Sequence, residues 1–321
     1  MAEPKRYLSG IQASGKPHLG NYLGAMRSHV ANADNAYYFI ANYHALTTSR
    51  DAAALRQATF DVAADYLAIG LDPDRATLFR QSDVPEVTEL AWLLSCVTGM
   101  GLLERAVSYK DKKAKGLQAN VGLFTYPVLQ AADILAFDSD IVPVGKDQVQ
   151  HIEMTRDIAQ SFNAAFGDTF KIPNYQLGTP KLIPGVDGQK MSKSYGNGIP
   201  IFTRGKALKK LVMSIVTDST PLEDPKDPTD CTVFALYSLM ATSEEKEALA
   251  ERYRGGNFGY GHAKIALLEK INETFEPFRD RREQLENHPD KVEDILRDGA
   301  VRAREVARSV LNRARAACGL D

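Results

Sequence analysis

Two short stretches carry the side chains best suited to chemistry. The first, Ser9-Gly10-Ile11-Gln12-Ala13-Ser14-Gly15-Lys16-Pro17-His18-Leu19-Gly20-Asn21, runs from an apolar strand through glycines and a serine into a helix start. Backbone N–H groups at such a start favour negative charge, and glycine lets the backbone approach a phosphate closely. Taken alone, the pattern fits a phosphate cradle and an ordinary tight turn equally well. The second stretch is Lys190-Met191-Ser192-Lys193-Ser194, with Gly185, Gly188, Gly196 and Gly198 around it. Two ammonium groups on a glycine-flanked loop suit charge that develops transiently, as on a departing pyrophosphate. A lone Lys-x-x-Lys would otherwise be a solvated basic loop. Asp133 is a third candidate, because a carboxylate in the apolar run VLQAADILAF is costly unless paired. Capping, or pairing with a neighbouring cation, would also account for it.

Positioning these groups requires strands that alternate with helices. Apolar runs predict strands at 7–11, 37–41, 77–80 and 141–144, and helices at 19–31, 52–69, 86–97 and about 146–162. Such alternation gives right-handed βαβ units and a doubly wound parallel sheet, an α/β fold with ligands at the carboxyl ends of the strands. Beyond residue 200 the pattern is helical, broken by the acidic, proline-rich loop 218–230 (DSTPLEDPKDPTD). The division is a domain at 1–200 followed by a smaller all-helical domain at 201–321. The last helix carries six arginines between Arg297 and Arg315 opposite an apolar face, a pattern equally suited to a polyanionic partner and to solvent.

Composition narrows the setting. With 39 Lys plus Arg against 41 Asp plus Glu the net charge is −2, so a polyanionic partner must be met by local patches. Three cysteines, Cys96, Cys231 and Cys318, form no CxxC pair, which disfavours a disulfide framework or a zinc site and points to a reducing cytosol. No apolar window is long enough for a membrane span, and the first residues lack the apolar core of a secretory signal.

The pairing of His18-Leu19-Gly20-Asn21 with Lys190 to Ser194 resembles the two signatures of class I aminoacyl-tRNA synthetases. SGIQASG (9–15), NYHALT (42–47), SYKDK (108–112), YPVLQAADIL (126–135), VPVGKDQVQHIEMTRDIAQSFN (142–163), GYGHAK (259–264) and DGAVRAR (298–304) resemble the bacterial-type tryptophanyl branch. That resemblance implies activation of L-tryptophan with Mg2+ and ATP, release of pyrophosphate, and transfer to tRNA(Trp) in a cytoplasmic homodimer. It implies ATP contacts from Gln12, Ser14, His18, Gly20, Asn21, Gly145, Asp147, Gln148, Ile183, Lys190, Met191, Ser192 and Lys193. His18, Ser192, Lys190, Lys193, Lys110 and Lys112 would carry the transition-state charge. Tryptophan would meet Asp133, Tyr126, Gln148, His44, Gln12 and Gln130. An indole N–H is a donor without an acceptor, so a buried carboxylate suits it, worth about 1.5 to 3 kcal/mol as a charge-assisted bond. No resident metal site is implied, and the helical domain would bind the anticodon.

Departures from the family pattern fall at Leu8, Ala13, Gln130 and Lys146; they bear on selectivity rather than on the reaction. His29, His262 and His288 read as surface or capping residues. Trp92 and the apolar span 86–103 read as core or as a subunit contact. Tyrosine charging and a nucleotide-binding paralogue that charges no tRNA are the competing readings.

Overall fold

The structure, a computed structural model, describes residues 5–13, 15–107, 109, 120–178 and 182–321. Five parallel strands, β1 (Tyr7–Ile11), β2 (Ala36–Ile40), β3 (Ala76–Arg80), β4 (Ile141–Val144) and β5 (Asn174–Leu177), lie in the order β3-β2-β1-β4-β5. Side chains alternate across the sheet. Leu8, Phe39 and Phe79 enter the core on one face, and Tyr38, Ile40 and Leu78 enter the core on the other. The four apolar strands fall within a residue of their expected positions. The fifth, Asn-Tyr-Gln-Leu, is exposed at all four positions, so it carries no burial pattern by which to find it. Strand order reverses between β1 and β4, which opens a crevice at their carboxyl ends.

The helices follow in chain order. α1 is a continuous segment of α turn Leu19–Asn21, π turn Tyr22–Met26 and α turn Arg27–Ala31, where a single regular helix was expected. Next come α2 (Asn42–Ala45), α3 (Ala52–Ala68), α4 (Glu86–Ser95), α5 (Met100–Glu104), α6 (Val121–Leu135) and α7 (Val149–Phe166). The remainder is α8 (Gly205–Met213), α9 (Thr232–Ser238), α10 (Ser243–Arg254), α11 (Tyr260–Asn287) and α12 (Pro289–Ala317).

Residues 201–321 do not make a core of their own. Phe234, Leu236, Tyr253, Leu267, Ile271 and Phe275 share one apolar cluster with Leu19, Ile40 and Leu78 of the sheet layer. Arg282 of α11 also bonds Asp61 and Asp65 of α3, each within 2.8 Å. α12 returns to the sheet altogether. It crosses edge strand β3 at Gly299, where an added Cβ would stand 1.9 Å from the Leu78 carbonyl oxygen, so only glycine permits the approach. Before the crossing Val292 and Leu296 pack in one core; after it Ala303, Ala307, Val310 and Ala314 pack in the other. The helix thereby covers a strand edge that would otherwise invite pairing.

Five of the six arginines of α12 reach across to the sheet layer, while Arg297 pairs with Glu293 on the same helix. Arg302 donates to the Pro73 carbonyl, Arg304 and Arg308 to Glu86, Arg313 to Asp138 and the Thr169 carbonyl, and Arg315 to Glu89. These cations fasten the helix to the sheet layer, a role that spacing alone could not separate from solvent exposure. His29, expected at the surface or as a cap, is in the core, stacked on Tyr66 with its Nδ1 3.0 Å from the Tyr66 hydroxyl.

Candidate functional site

The two signature stretches meet at the carboxyl edge of the sheet. His18 caps α1: its Nδ1 accepts the Asn21 backbone N–H at 3.2 Å, and Asn21 Oδ1 accepts the His18 N–H at 3.1 Å. This capping box satisfies two helix-terminal donors and fixes the ring. Burial, and then the charge of Lys193, hold the His18 pKa below its usual value. The neutral ring therefore carries its proton on Nε2, since Nδ1 is an acceptor. Gly20 and Gly198 flank the imidazole so closely that a Cβ on either would stand 2.9 or 3.0 Å from it.

The lysine loop is tied to this helix start. Gly20 N–H points at the Met191 sulfur at 3.2 Å, Leu19 N–H donates to the Ile199 carbonyl and Ile201 N–H to the Pro17 carbonyl. Asn197, buried, organises the loop from inside by accepting the Ser192 N–H and donating to Asp187 and to the Lys190 carbonyl. Ile183 and Met191 anchor the loop in the core, whereas Lys190 is exposed. Lys193 Nζ reaches the Gly15 carbonyl at 3.2 Å, and partial burial lowers its pKa against the opposing charge of Asp65. The Lys193 cation, a neutral imidazole donor and a helix start thus come together. Sequence reading named His18, Gly20, Asn21, Lys190, Met191, Ser192 and Lys193, which lie on these two segments, but did not name Asn197. Its signal was only a polar residue between Gly196 and Gly198.

Asp133 is 1% exposed on α6, and Tyr126, Gln130 and Asp133 share one face at i, i+4 and i+7. Asp133 accepts from His44 Nε2 at 2.8 Å and from Gln81 Nε2 at 2.8 and 2.9 Å. Among the described residues no Lys or Arg pairs with it. Burial pushes its carboxyl up, while His44 and Gln81 pull it down. Gln81, buried directly after β3, was not found from sequence. Its amide is oriented by accepting the Tyr43 N–H at 3.0 Å.

Tyr126 Oη lies 2.7 Å from His151 Nε2, His151 Nδ1 lies 3.0 Å from Gln148 Oε1, and Gln148 Nε2 donates to Asp147 at 3.2 Å. Gly145, Asp147 and Gln148 follow β4 in a 3-10 turn at the crevice, as the strand-end reading required. Gln12 directly follows β1 and is exposed, and Gln130 is half-buried. Ser14, Lys110 and Lys112 lie outside the described residues. A cleft of about 630 Å³ opens at the other end of the sheet, beside Arg6, Lys171 and Arg313. Lys171 and Arg313 are paired there with Asp140 and Asp138.

A strand-order switch bearing a capped histidine turn and a lysine-serine loop fits the class I synthetases. The chain belongs to that class, in the family described as tRNA synthetases class I (W and Y), which it matches over residues 1–276. Within the family it is similar to the tryptophanyl members over nearly its whole length. It is 58% identical to tryptophan–tRNA ligase of Rhodopirellula baltica, covering 98% of this chain and 99% of that one. The corresponding ligase of Fusobacterium nucleatum is 53% identical, with 98% of each chain covered. The crystal structure of tryptophanyl-tRNA synthetase from Campylobacter jejuni complexed with ADP and tryptophan superposes with a TM-score of 0.95 at 48% identity, covering 98% of this chain and 100% of that one.

Proposed function

We propose that this protein is a tryptophan–tRNA ligase that activates L-tryptophan with ATP to tryptophanyl-adenylate and pyrophosphate, then transfers the aminoacyl group to tRNA(Trp). The observation that carries the choice of amino acid is the buried Asp133 carboxylate, held between His44 and Gln81 beside Tyr126. It supplies an acceptor for the indole N–H. Tyr126 and Gln148 take the α-ammonium, and Gln130 and Gln12 line the approach.

On this reading the tryptophan carboxylate oxygen attacks the α-phosphorus of ATP and pyrophosphate leaves. His18 Nε2–H donates to the α-phosphate oxygens as charge builds there, and Gly20 and Asn21 bring the helix start against the nucleotide. Lys193 exchanges the Gly15 carbonyl for β- and γ-phosphate oxygens, joined by Lys190, Ser192 and the lysines Lys110 and Lys112. Asp147 accepts from the ribose hydroxyls, Gly145 leaves room for them, and Ile183 and Met191 support the adenine side; Ser14 belongs to the phosphate turn. Mg2+ would enter with the triphosphate, whose oxygens supply most of its ligands. Transfer then needs only the terminal ribose hydroxyl of tRNA attacking the activated carbonyl, with AMP leaving.

The helices between residues 205 and 287 are the anticodon-binding unit on this reading, while α12 belongs to the sheet layer. Lys206, Lys209 and Lys210 on the exposed side of α8 have no ion-pair partner among the described residues, unlike the α12 arginines, and they form a local basic stripe for the RNA backbone. Neutralising them lowers charging and spares pyrophosphate exchange. A homodimer is supported by Trp92, Met100, Val107 and Val121, which are 69%, 64%, 54% and 78% exposed on or beside α4, α5 and α6. A cytoplasmic setting follows from ATP and tRNA as substrates.

Pyrophosphate exchange across a panel of amino acids tests the assignment. Tryptophan should support exchange and tyrosine should not; exchange with tyrosine alone, or ATP binding without charging of any tRNA, would overturn it.

A further inference from the structure

His151 is buried on the first turn of α7 and has no place in the reaction steps above. Its pKa is held below the usual value, chiefly by burial, so the ring is neutral and has one N–H and one acceptor nitrogen. Two tautomers are possible, and the neighbours select between them. Gln148 Nε2 donates to Asp147, which leaves Oε1 as the Gln148 atom facing His151 Nδ1. Reversing the amide would set Oε1 against the Asp147 carboxylate. Nδ1 must therefore carry the proton, and Nε2 accepts the Tyr126 O–H. The bonds run in one direction: Tyr126 donates to His151, His151 to Gln148, and Gln148 to Asp147.

We propose that His151 is a positioning residue that fixes this direction, so that Tyr126 and Gln148 present oxygen lone pairs rather than a hydroxyl proton to the substrate α-ammonium. An ammonium has three donors and no acceptor. A tyrosine whose proton pointed into the site would oppose it, whereas a tyrosine that has given its proton to His151 attracts it. The same chain reaches Asp147, so the amino-acid and ribose subsites are aligned by one hydrogen-bond sequence. The inference rests on the assignment of Tyr126 and Gln148 to the ammonium.

A mutant cycle read by pyrophosphate exchange tests it. Tyr126→Phe should raise the KM for tryptophan about tenfold, the worth of one polarised hydrogen bond, with the KM for ATP little changed. In His151→Asn the side-chain amide keeps the Nδ1 donor position and loses the acceptor for Tyr126. It should raise the same KM by a similar factor while kcat stays within about twofold. Because both act through one bond, the double variant should be no worse than either single one. In His151→Gln the side chain can place Oε1 at the Nε2 position, and most of the KM should return. Multiplying losses in the double variant, a normal KM in His151→Asn, or no recovery in His151→Gln would each overturn the proposal. Melting temperatures separate this from a packing defect, which would lower stability and leave the cycle additive. An unchanged KM in Tyr126→Phe would instead remove the ammonium assignment itself.

Discussion

Asp133→Asn replaces one carboxylate oxygen by an amide nitrogen at nearly constant volume, so its effect isolates charge and hydrogen-bond polarity. In the native protein the carboxylate accepts from His44 and twice from Gln81, all at 2.8 to 2.9 Å. Gln81 cannot turn to meet a new donor, because its oxygen already takes the Tyr43 N–H. The asparagine must therefore set its oxygen toward Gln81 and its NH2 toward His44, which then has to shift its proton from Nε2. The indole N–H meets a neutral amide instead of a carboxylate and loses the charge-assisted share of its bond, about 1 to 1.5 kcal/mol. Mismatch at His44 adds a similar amount, giving about 2 to 3 kcal/mol, or roughly 30- to 150-fold in kcat/KM for tryptophan. Pyrophosphate exchange with tryptophan and ATP varied in turn measures this, and the KM for ATP should move less than about twofold. A tryptophan kcat/KM within about threefold of the native value, or equal losses toward both substrates, would refute the reasoning.

Lys193→Ala should reduce the activation rate far more than tryptophan affinity, because its partner charge develops at the leaving group; single-turnover adenylate formation beside equilibrium tryptophan binding checks it. Gly299→Ala should cost about 3 kcal/mol or more in urea unfolding, since the new methyl must push α12 off β3. Trp92→Glu should shift sedimentation toward the monomer and lower charging with it. The His29 pKa is pushed down to about 4 by burial, so between that value and the unfolded pKa of 6.5 the unfolded chain binds more protons. Its contribution of about 3 kcal/mol is lost as pH falls through this window, and His29→Asn should flatten the acid side of the stability profile in urea titrations. Asp65, pushed up to about 6, acts with the opposite sign over the same range, so the difference between native and variant is the quantity to compare.

Much of the catalytic layer was legible because its signals are local. Short apolar runs located the four apolar strands, and the residues after β1 and β4 had to lie in one crevice because parallel strands share a carboxyl edge. Asp133 stood out because a carboxylate in an apolar helix demands partners. One partner was illegible: Gln81 follows β3, 52 residues from Asp133, and nothing in its own neighbourhood marks it, whereas His44, 89 residues away, was named only through the family resemblance of the stretch around it. His151 reads from sequence as one more polar residue on a helix, and only the meeting of α6 with α7 sets it between Tyr126 and Gln148.

The C-terminal half divides the same way. Helical periodicity gives α12, and composition places six arginines on it, but charge on one face is the same whether it meets solvent, RNA or protein. Tertiary structure supplies protein partners for five of them, through Glu86, Glu89, Asp138 and backbone carbonyls. The residue types and their order therefore determined the chemistry available to this chain: a phosphate turn, a cation loop and a buried acceptor. Which cations stay available for a ligand, and which way each shared proton points, depends on distances between segments far apart in the chain, and those are set only when the layers pack.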